Sequence, residues 1–203
     1  MNPLKTVQSG RGSVRVIAGL YRGRRLQTVP GLDTRPTSDR LRETLFNILS
    51  PRIQGSNFLD ICAGSGAVGI EALSRGAARV TFVEHARTNC SIISENLCLI
   101  GAEESASVIN QDAVSAVRLL MNRVDEFDIV FFDPPYASDL YSDVIQLFAS
   151  GNLLREEGIL IVEHATKVPT EPRYGNLGIY RELKQGASAL AFYKMELGQS
   201  PQD

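Results

Sequence analysis

Asp60-Ile61-Cys62-Ala63-Gly64-Ser65-Gly66-Ala67-Val68-Gly69 is the stretch whose reading decides the fold. Phe58-Leu59-Asp60-Ile61 leads into it as a short apolar strand, and Ala67–Arg75 leaves it as a helix. The three glycines between them have G-x-G-x-x-G spacing, which permits a tight turn and brings the backbone close to a ligand. The spacing alone fits a plain strand-to-helix turn equally well. The strand before it and the helix after it supply the context that a nucleotide-type site requires.

Downstream, strands and helices alternate. Arg79–Glu84 is rich in β-branched residues and reads as a second strand, followed by a helix over Thr88–Leu99. Ser107-Val108-Ile109 is a third strand, with a helix at Ala113–Asn122. Phe127–Phe132 is apolar almost without interruption, as a strand buried on both faces should be. A helix over Asp139–Ala149 and a fifth strand over Gly158–Glu163 complete the alternation. This order predicts an α/β, Rossmann-like fold: a mostly parallel sheet with helices on both faces. Leu177–Leu183 and Ala189–Glu196 are joined by five residues only, so they form an antiparallel pair that closes the sheet.

Upstream, Val14–Ala18 and Arg24–Thr28 flank Gly19-Leu20-Tyr21-Arg22-Gly23 and read as a small β-hairpin. A helix follows, with Leu41, Leu45, Ile48 and Leu49 on one face and Thr37 or Ser38 as its N-cap. The expected organisation is a basic hairpin-and-helix extension over residues 1–50, a core over 51–197 and a tail over 198–203.

Residues 1–40 hold eight Lys/Arg and two acids, a balance of +6, while the rest of the chain carries −8 and the whole −2. A basic arm on an acidic body points to a polyanionic partner met by the arm. The 203 residues, 43% apolar and 22% charged, suit a single globular core. No apolar run reaches the roughly 18 residues that span a bilayer, and Met1-Asn2-Pro3-Leu4-Lys5 lacks the apolar centre of a signal peptide. Cys62, Cys90 and Cys98 are an odd number with no C-x-x-C pair, so neither disulfides nor a zinc site is indicated, and a cytoplasmic setting is expected.

The loop residues Ala63, Gly64, Ser65, Gly66 and Gly69 are the candidate cofactor cradle. Glu84 ends the second strand, where dinucleotide folds hold a ribose diol, and His85 follows it. NAD fits that layout too, but Asp60 would repel a pyrophosphate and suits the ammonium of a methionine moiety. S-adenosylmethionine is therefore the expected cofactor. After the third strand, Asp112 can accept from an adenine amine, with Gln111 and Ala113 beside it. Asp112 is also a natural N-cap for the next helix, and the two roles are compatible.

Asp133-Pro134-Pro135-Tyr136 follows the fourth strand. Two prolines stiffen the loop and remove two N–H groups. The exocyclic amine of a base is a poor nucleophile because its lone pair is delocalised into the ring. The Asp133 carboxylate and Pro134 carbonyl can each accept one of its N–H groups, holding the nitrogen in line and stabilising its developing charge. Tyr136 offers a face on which an extruded base stacks. This chemistry needs no metal, and His85 and His164 stand isolated from any ligand cluster.

With these residues in place, the chain resembles the RsmD family of bacterial 16S ribosomal RNA guanine-N2 methyltransferases. The resemblance runs from about Arg15 to Tyr193. It is carried by Arg15-Val16-Ile17-Ala18-Gly19, by Arg22-Gly23-Arg24, by Arg35 through Glu43, by Ala63 through Ala77, and by the DPPY loop. It implies a seven-stranded class I methyltransferase fold with an antiparallel last strand. It also implies methylation of one guanine N2 in 16S rRNA within an assembling small subunit, by a metal-free monomer. By the same resemblance Arg22, Arg24, Arg25, Arg35, Thr37 and Arg40 become RNA contacts, with Thr37 and Arg40 alternatively closing the active site. Two other activities share these motifs less well. An adenine-N6 DNA methyltransferase needs a larger target-reading region than a 40-residue front. An inactive RNA-binding assembly factor has no use for an intact DPPY loop.

Overall fold

In chain order the elements are α1 (Asp39–Leu49), β1 (Asn57–Ile61), α2 (Ala67–Ser74), β2 (Arg79–Glu84), α3 (Arg87–Ile100), β3 (Ala106–Asn110), α4 (Ala113–Asn122), β4 (Phe127–Phe132), α5 (Leu140–Ser150), β5 (Leu154–Ala165), β6 (Arg173–Tyr174), β7 (Leu177–Gln185) and β8 (Ser188–Met195). The structure, a computed structural model, describes residues 14–28, 38–135, 140–168 and 170–196.

Among these residues the strands form one sheet in the order β3-β2-β1-β4-β5-β8-β7-β6. β1 to β5 run parallel, and β8 is inserted antiparallel between β5 and β7. The seven expected strands are all present, and β6 adds a two-residue edge. The strand order reverses between β1 and β4, and it is at such a switch point that open parallel sheets bind ligands.

The sheet is hydrophobic on both faces. Phe58, Phe82, Ile129, Phe131, Ile161 and Phe192 pack with α1, α2 and α3 on one side. Leu59, Ile61, Val130, Phe132, Leu160 and Tyr193 pack with α4 and α5 on the other. Burying each such side chain stabilises the fold by about 1.5–3 kcal/mol, which is why the apolar run of β4 lies mid-sheet. None of the described helices is long and apolar enough to cross a membrane.

Two elements depart from the expected outline. β5 begins at Leu154 rather than Gly158, through the exposed Arg155-Glu156-Glu157. Its polar start is held by backbone pairing, Leu154 opposite Phe127, across a register shift in β4. The N-terminal hairpin is a closed loop with one antiparallel bridge, Arg15 to Arg25, rather than a ribbon. Val16 N–H donates to Arg24 O (3.0 Å) and Leu26 N–H to Val14 O (2.8 Å). Gly23 N–H also donates to Val16 O (2.9 Å), but other donors are diverted to α2: Ile17 and Ala18 N–H reach the Glu71 carboxylate (2.7 and 3.0 Å). Tyr21 N–H reaches Ser74 Oγ (3.0 Å). Side chains have taken the backbone groups that a longer ladder needs.

α1 forms as expected. Ser38 is its N-cap, accepting from Leu41 N–H at 3.2 Å, and Thr37 lies outside the described residues. Leu41, Leu45, Phe46 and Leu49 are buried against the sheet, with Phe46 stacked on Phe58 at 6.3 Å between centroids. Arg42 is buried among them at 1% exposure. It donates to Arg15 O (2.6 Å) and Asp39 (3.0 Å) and faces Glu71 at 4.0 Å.

Candidate cofactor and catalytic site

The chain leaves β1 through Cys62 and Ala63, whose N–H groups both donate to Val83 O in β2 (2.9 and 3.1 Å). This shared acceptor turns the backbone sharply, and Cys62 takes a positive φ of 64°. Gly64 (57°) and Gly66 (78°) continue in the left-handed region that glycine enters at little cost. Gly66 is the N-cap of α2 and provides no side-chain cap; within the first turn, Gly69 N–H is taken by the Asp60 carboxylate. Gly69 has a different role: a Cβ there would meet the Phe82 ring at 2.3 Å, so the glycine lets α2 lie close on β2.

Two buried carboxylates hold this loop. Glu84 Oε2 accepts from Gly64 N–H (2.9 Å), and Oε1 accepts from Ala86 N–H (2.8 Å) with His85 Nδ1 at 3.0 Å. Asp60 is 2% exposed and Oδ2 accepts from Gly69 N–H at 2.9 Å. Burial pushes the Asp60 carboxyl up to about 7; the Gly69 N–H opposes the shift and the Glu84 charge adds to it. An ideal Cβ on Gly64 meets nothing within 4 Å, so the loop is open on that side.

β4 brings the second loop to the same edge. Asp133 N–H donates to Ile61 O at 3.2 Å, which ties the start of the DPPY segment to the end of β1. Pro134 is buried and Pro135 exposed. Tyr136 lies outside the described residues. Cys62 sits between the two loops, and its thiol is pushed up to about 12, by burial first and then by the charges of Glu84, Asp133 and Asp60. Three carboxylates thus converge on the crevice between β2, β1 and β4.

At the end of β3, Gln111 and Asp112 are exposed and Ala113 is buried. Asp112 caps α4, its Oδ1 accepting from Ser115 N–H at 2.9 Å, and that bond holds its carboxyl below the usual range. Arg22, Arg24 and Arg25 are exposed on the N-terminal loop and Arg40 on α1; Arg35 lies outside the described residues. Among the described residues no three His, Cys, Asp or Glu side chains gather as a metal-holding group. A groove of about 440 Å³ opens at the opposite edge, lined by Asn57, Arg79, Arg123 and Arg155. It lies at the N-terminal ends of the strands, whereas parallel sheets bind ligands at the C-terminal ends, so the chemistry belongs to the loops.

Residues 14–194 match the family described as Conserved hypothetical protein 95. The ribosomal RNA small subunit methyltransferase D of Escherichia coli K12 is 39% identical over 202 residues, 98% of this chain and 99% of that protein. This chain belongs to the family. The Haemophilus influenzae protein of the same name is 42% identical over 163 residues, 79% of this chain and 84% of that one. The solved structure of an E. coli protein described as putative methyltransferase yhhF superposes with a TM-score of 0.78 at 40% identity, covering 92% of this chain and all of that one. The family fold and the expected class I architecture agree.

Three polar residues, Glu71 and Asn96 buried and Asn110 exposed, escape the sequence reading. Glu71 is fully buried in α2 and binds the N-terminal loop and Arg75 Nε (2.7 Å). Asn110 Nδ2 donates to Glu84 O (3.1 Å) and His85 O (2.8 Å), shaping the end of β2. Asn96, fully buried in α3, joins the glycine loop to the N-terminal segment. The sequence signal that could have found Asn96 is its place on the apolar stripe with Ile93 and Leu97.

Proposed function

We propose that the protein transfers a methyl group from S-adenosylmethionine to the exocyclic N2 of one guanine in small-subunit ribosomal RNA. The relatives' names supply the substrate class. The observation that carries the cofactor is the acidic crevice: Glu84 and Asp60 hold the Gly64 and Gly69 N–H groups, and Asp133 N–H is tied to Ile61 O at the same switch point. That charge opposes a pyrophosphate and favours a ligand bearing a sulfonium and an ammonium. Asp60 suits the ammonium of the methionine part, and the start of α2, which has no side-chain cap at Gly66, suits its carboxylate. Glu84 keeps lone pairs for a ribose diol while it holds Gly64, and Asp112 lies on the adenine side.

When bound, the cofactor supplies an electrophilic methyl that needs no covalent enzyme intermediate. The protein's part is positioning. Asp133 is fastened to β1 beside the glycine loop, so its carboxylate and the Pro134 carbonyl are set to accept the two N–H groups of a guanine amine. These acceptors stabilise the positive charge that grows on nitrogen as the methyl arrives. Tyr136 stacks the base, and the exposed Arg22, Arg24, Arg25 and Arg40 bind RNA phosphates. Arg35 and Thr37, which lie outside the described residues, are proposed as RNA contacts by the family resemblance alone.

The test uses labelled S-adenosylmethionine with undermethylated small subunits, free 16S rRNA and duplex DNA, followed by nucleoside mass analysis. N2-methylguanosine from the ribosomal substrates is expected; N6-methyladenine from DNA overturns the reading. Asp133→Ala should lower turnover at least ~10²-fold and leave cofactor affinity within about threefold, because its partner is the target amine. Equal loss of both would remove Asp133 from the catalytic role.

A further inference from the structure

The N-terminal loop and the glycine loop are 38 residues apart in sequence between Gln27 and Ser65, yet one side chain grips both. Asn96 lies within α3 at 0% exposure. Its Oδ1 accepts from Gln27 N–H at 2.7 Å and its Nδ2 donates to Gln27 O at 3.1 Å, so the amide pairs with Gln27 as a neighbouring strand would. The other Nδ2 hydrogen goes to Ser65 O at 3.0 Å. Ser65 stands between Gly64 and Gly66, both in the left-handed region, with Gly64 N–H on Glu84. The exposed Arg24 and Arg25 are three and two residues before Gln27.

An amide in this setting cannot give up one partner without consequence. A buried donor left unpaired is costly, so each bond raises the cost of breaking the others. If the arm lifts at Gln27, Asn96 loses two of its three bonds and the rotamer that aims Nδ2 at Ser65. If the glycine loop opens, the arm loses its anchor's orientation. The side chain itself is mounted on a 14-residue helix whose Ile93 and Leu97 pack into the core, so the two loops move relative to a fixed point.

We propose that Asn96 is a positioning residue that couples the order of the N-terminal arm to that of the glycine loop, so that cofactor binding and RNA engagement strengthen one another. The proposal rests on the reading above, in which the loop holds the cofactor and the arm meets RNA. Such coupling is reciprocal by thermodynamic necessity. It gives the enzyme a preference for closing on RNA when the methyl donor is already present.

The experiment reads the arm while filling the loop. S-adenosylhomocysteine binding to the full chain is first measured by calorimetry. Amide exchange at Gln27, on the arm's side of Asn96, is then followed by NMR with and without saturating S-adenosylhomocysteine. The wild-type Gln27 amide should exchange about fivefold or more slowly in its presence, the lower end of common coupling strengths. Asn96→Asp retains an acceptor for Gln27 N–H and loses both donors, so it should bind S-adenosylhomocysteine more weakly and show no slowing at Gln27. A side chain that merely fills space has no reason to transmit this effect. Wild-type exchange indifferent to the ligand overturns the proposal without any variant, and so does an Asn96→Asp protein that keeps the wild-type slowing. No binding to the wild type in the calorimeter is a separate result that overturns the cofactor reading itself.

Discussion

Residues 62–66 and residues 14–28 are both irregular segments that meet at Asn96, and they are built by opposite means. The glycine loop is shaped from within: its positive φ angles are set by Cys62, Gly64 and Gly66, and α2 begins as soon as the turn ends. Its external supports, Glu84 and Asp60, end or occupy the two adjacent strands. The N-terminal loop has one bridge and a few backbone hydrogen bonds of its own, and no described helix or strand. It is held from below by Glu71, Ser74 and Asn96, side chains 50 or more residues further along the chain. A loop that carries its own geometry tolerates change around it; one fastened by a few distant side chains depends on each of them.

The largest effect should therefore come from an anchor of the arm. Glu71→Ala removes the acceptor of Ile17 and Ala18 N–H and strips Arg42, 1% exposed, of its buried carboxylate partner. Removing one member of a buried ion pair costs about 3–5 kcal/mol, which for a chain of this size lowers Tm by roughly 6–20 °C. Thermal denaturation checks this. A loss below about 1 kcal/mol would mean that the arm is not fastened through Glu71 and would break the contrast.

A smaller effect is expected where the arm meets its partner. Reversing Arg24 and Arg25 to Glu should weaken binding of 16S rRNA and lower the slope of log K against log salt by about two, one for each phosphate that is no longer neutralised. Both side chains are exposed, so stability should hardly change. An unchanged slope would remove the pair from the interface.

The smallest effect belongs to the loop. The folded-state value of Asp60, about 7, is raised above its ordinary 3.8, so between those values the native protein keeps a proton that the unfolded chain has released. Its contribution to stability falls as pH rises through that window. A cationic ligand favours the ionised carboxylate, so affinity for S-adenosylhomocysteine should rise several-fold between about pH 6 and pH 8. Asp60→Asn, which can still accept from Gly69 N–H, should flatten that rise. A wild-type affinity independent of pH would place the ligand's ammonium elsewhere.

Much of this was legible in the chain because it is local. The strand-turn-helix around Gly64 to Gly69, the apolar run of β4 and the capping of α4 by Asp112 each depend on residues within one or two turns. The polar start of β5 and the two-residue β6 were not, since neither shows a hydrophobic period and both exist by pairing with a neighbour. Among the site residues, Asp60, Glu84 and Asp133 stand at the strand ends where their spacing put them. What their spacing left open was that Glu84 and Asp60 also bind Gly64 and Gly69 N–H.

By itself the sequence determined the alternation of strands and helices, the glycine loop, the acidic strand ends and the basic front, because periodicity, φ preference and charge are written residue by residue. Only the tertiary structure decided that the loops after β1 and β4 share one crevice, that β8 enters between β5 and β7, and that Glu71, Asn96 and Arg42 are buried beneath the arm. Those outcomes depend on which distant backbone groups are left without partners once the sheet is packed, and a buried N–H or carbonyl must find one wherever the fold supplies it.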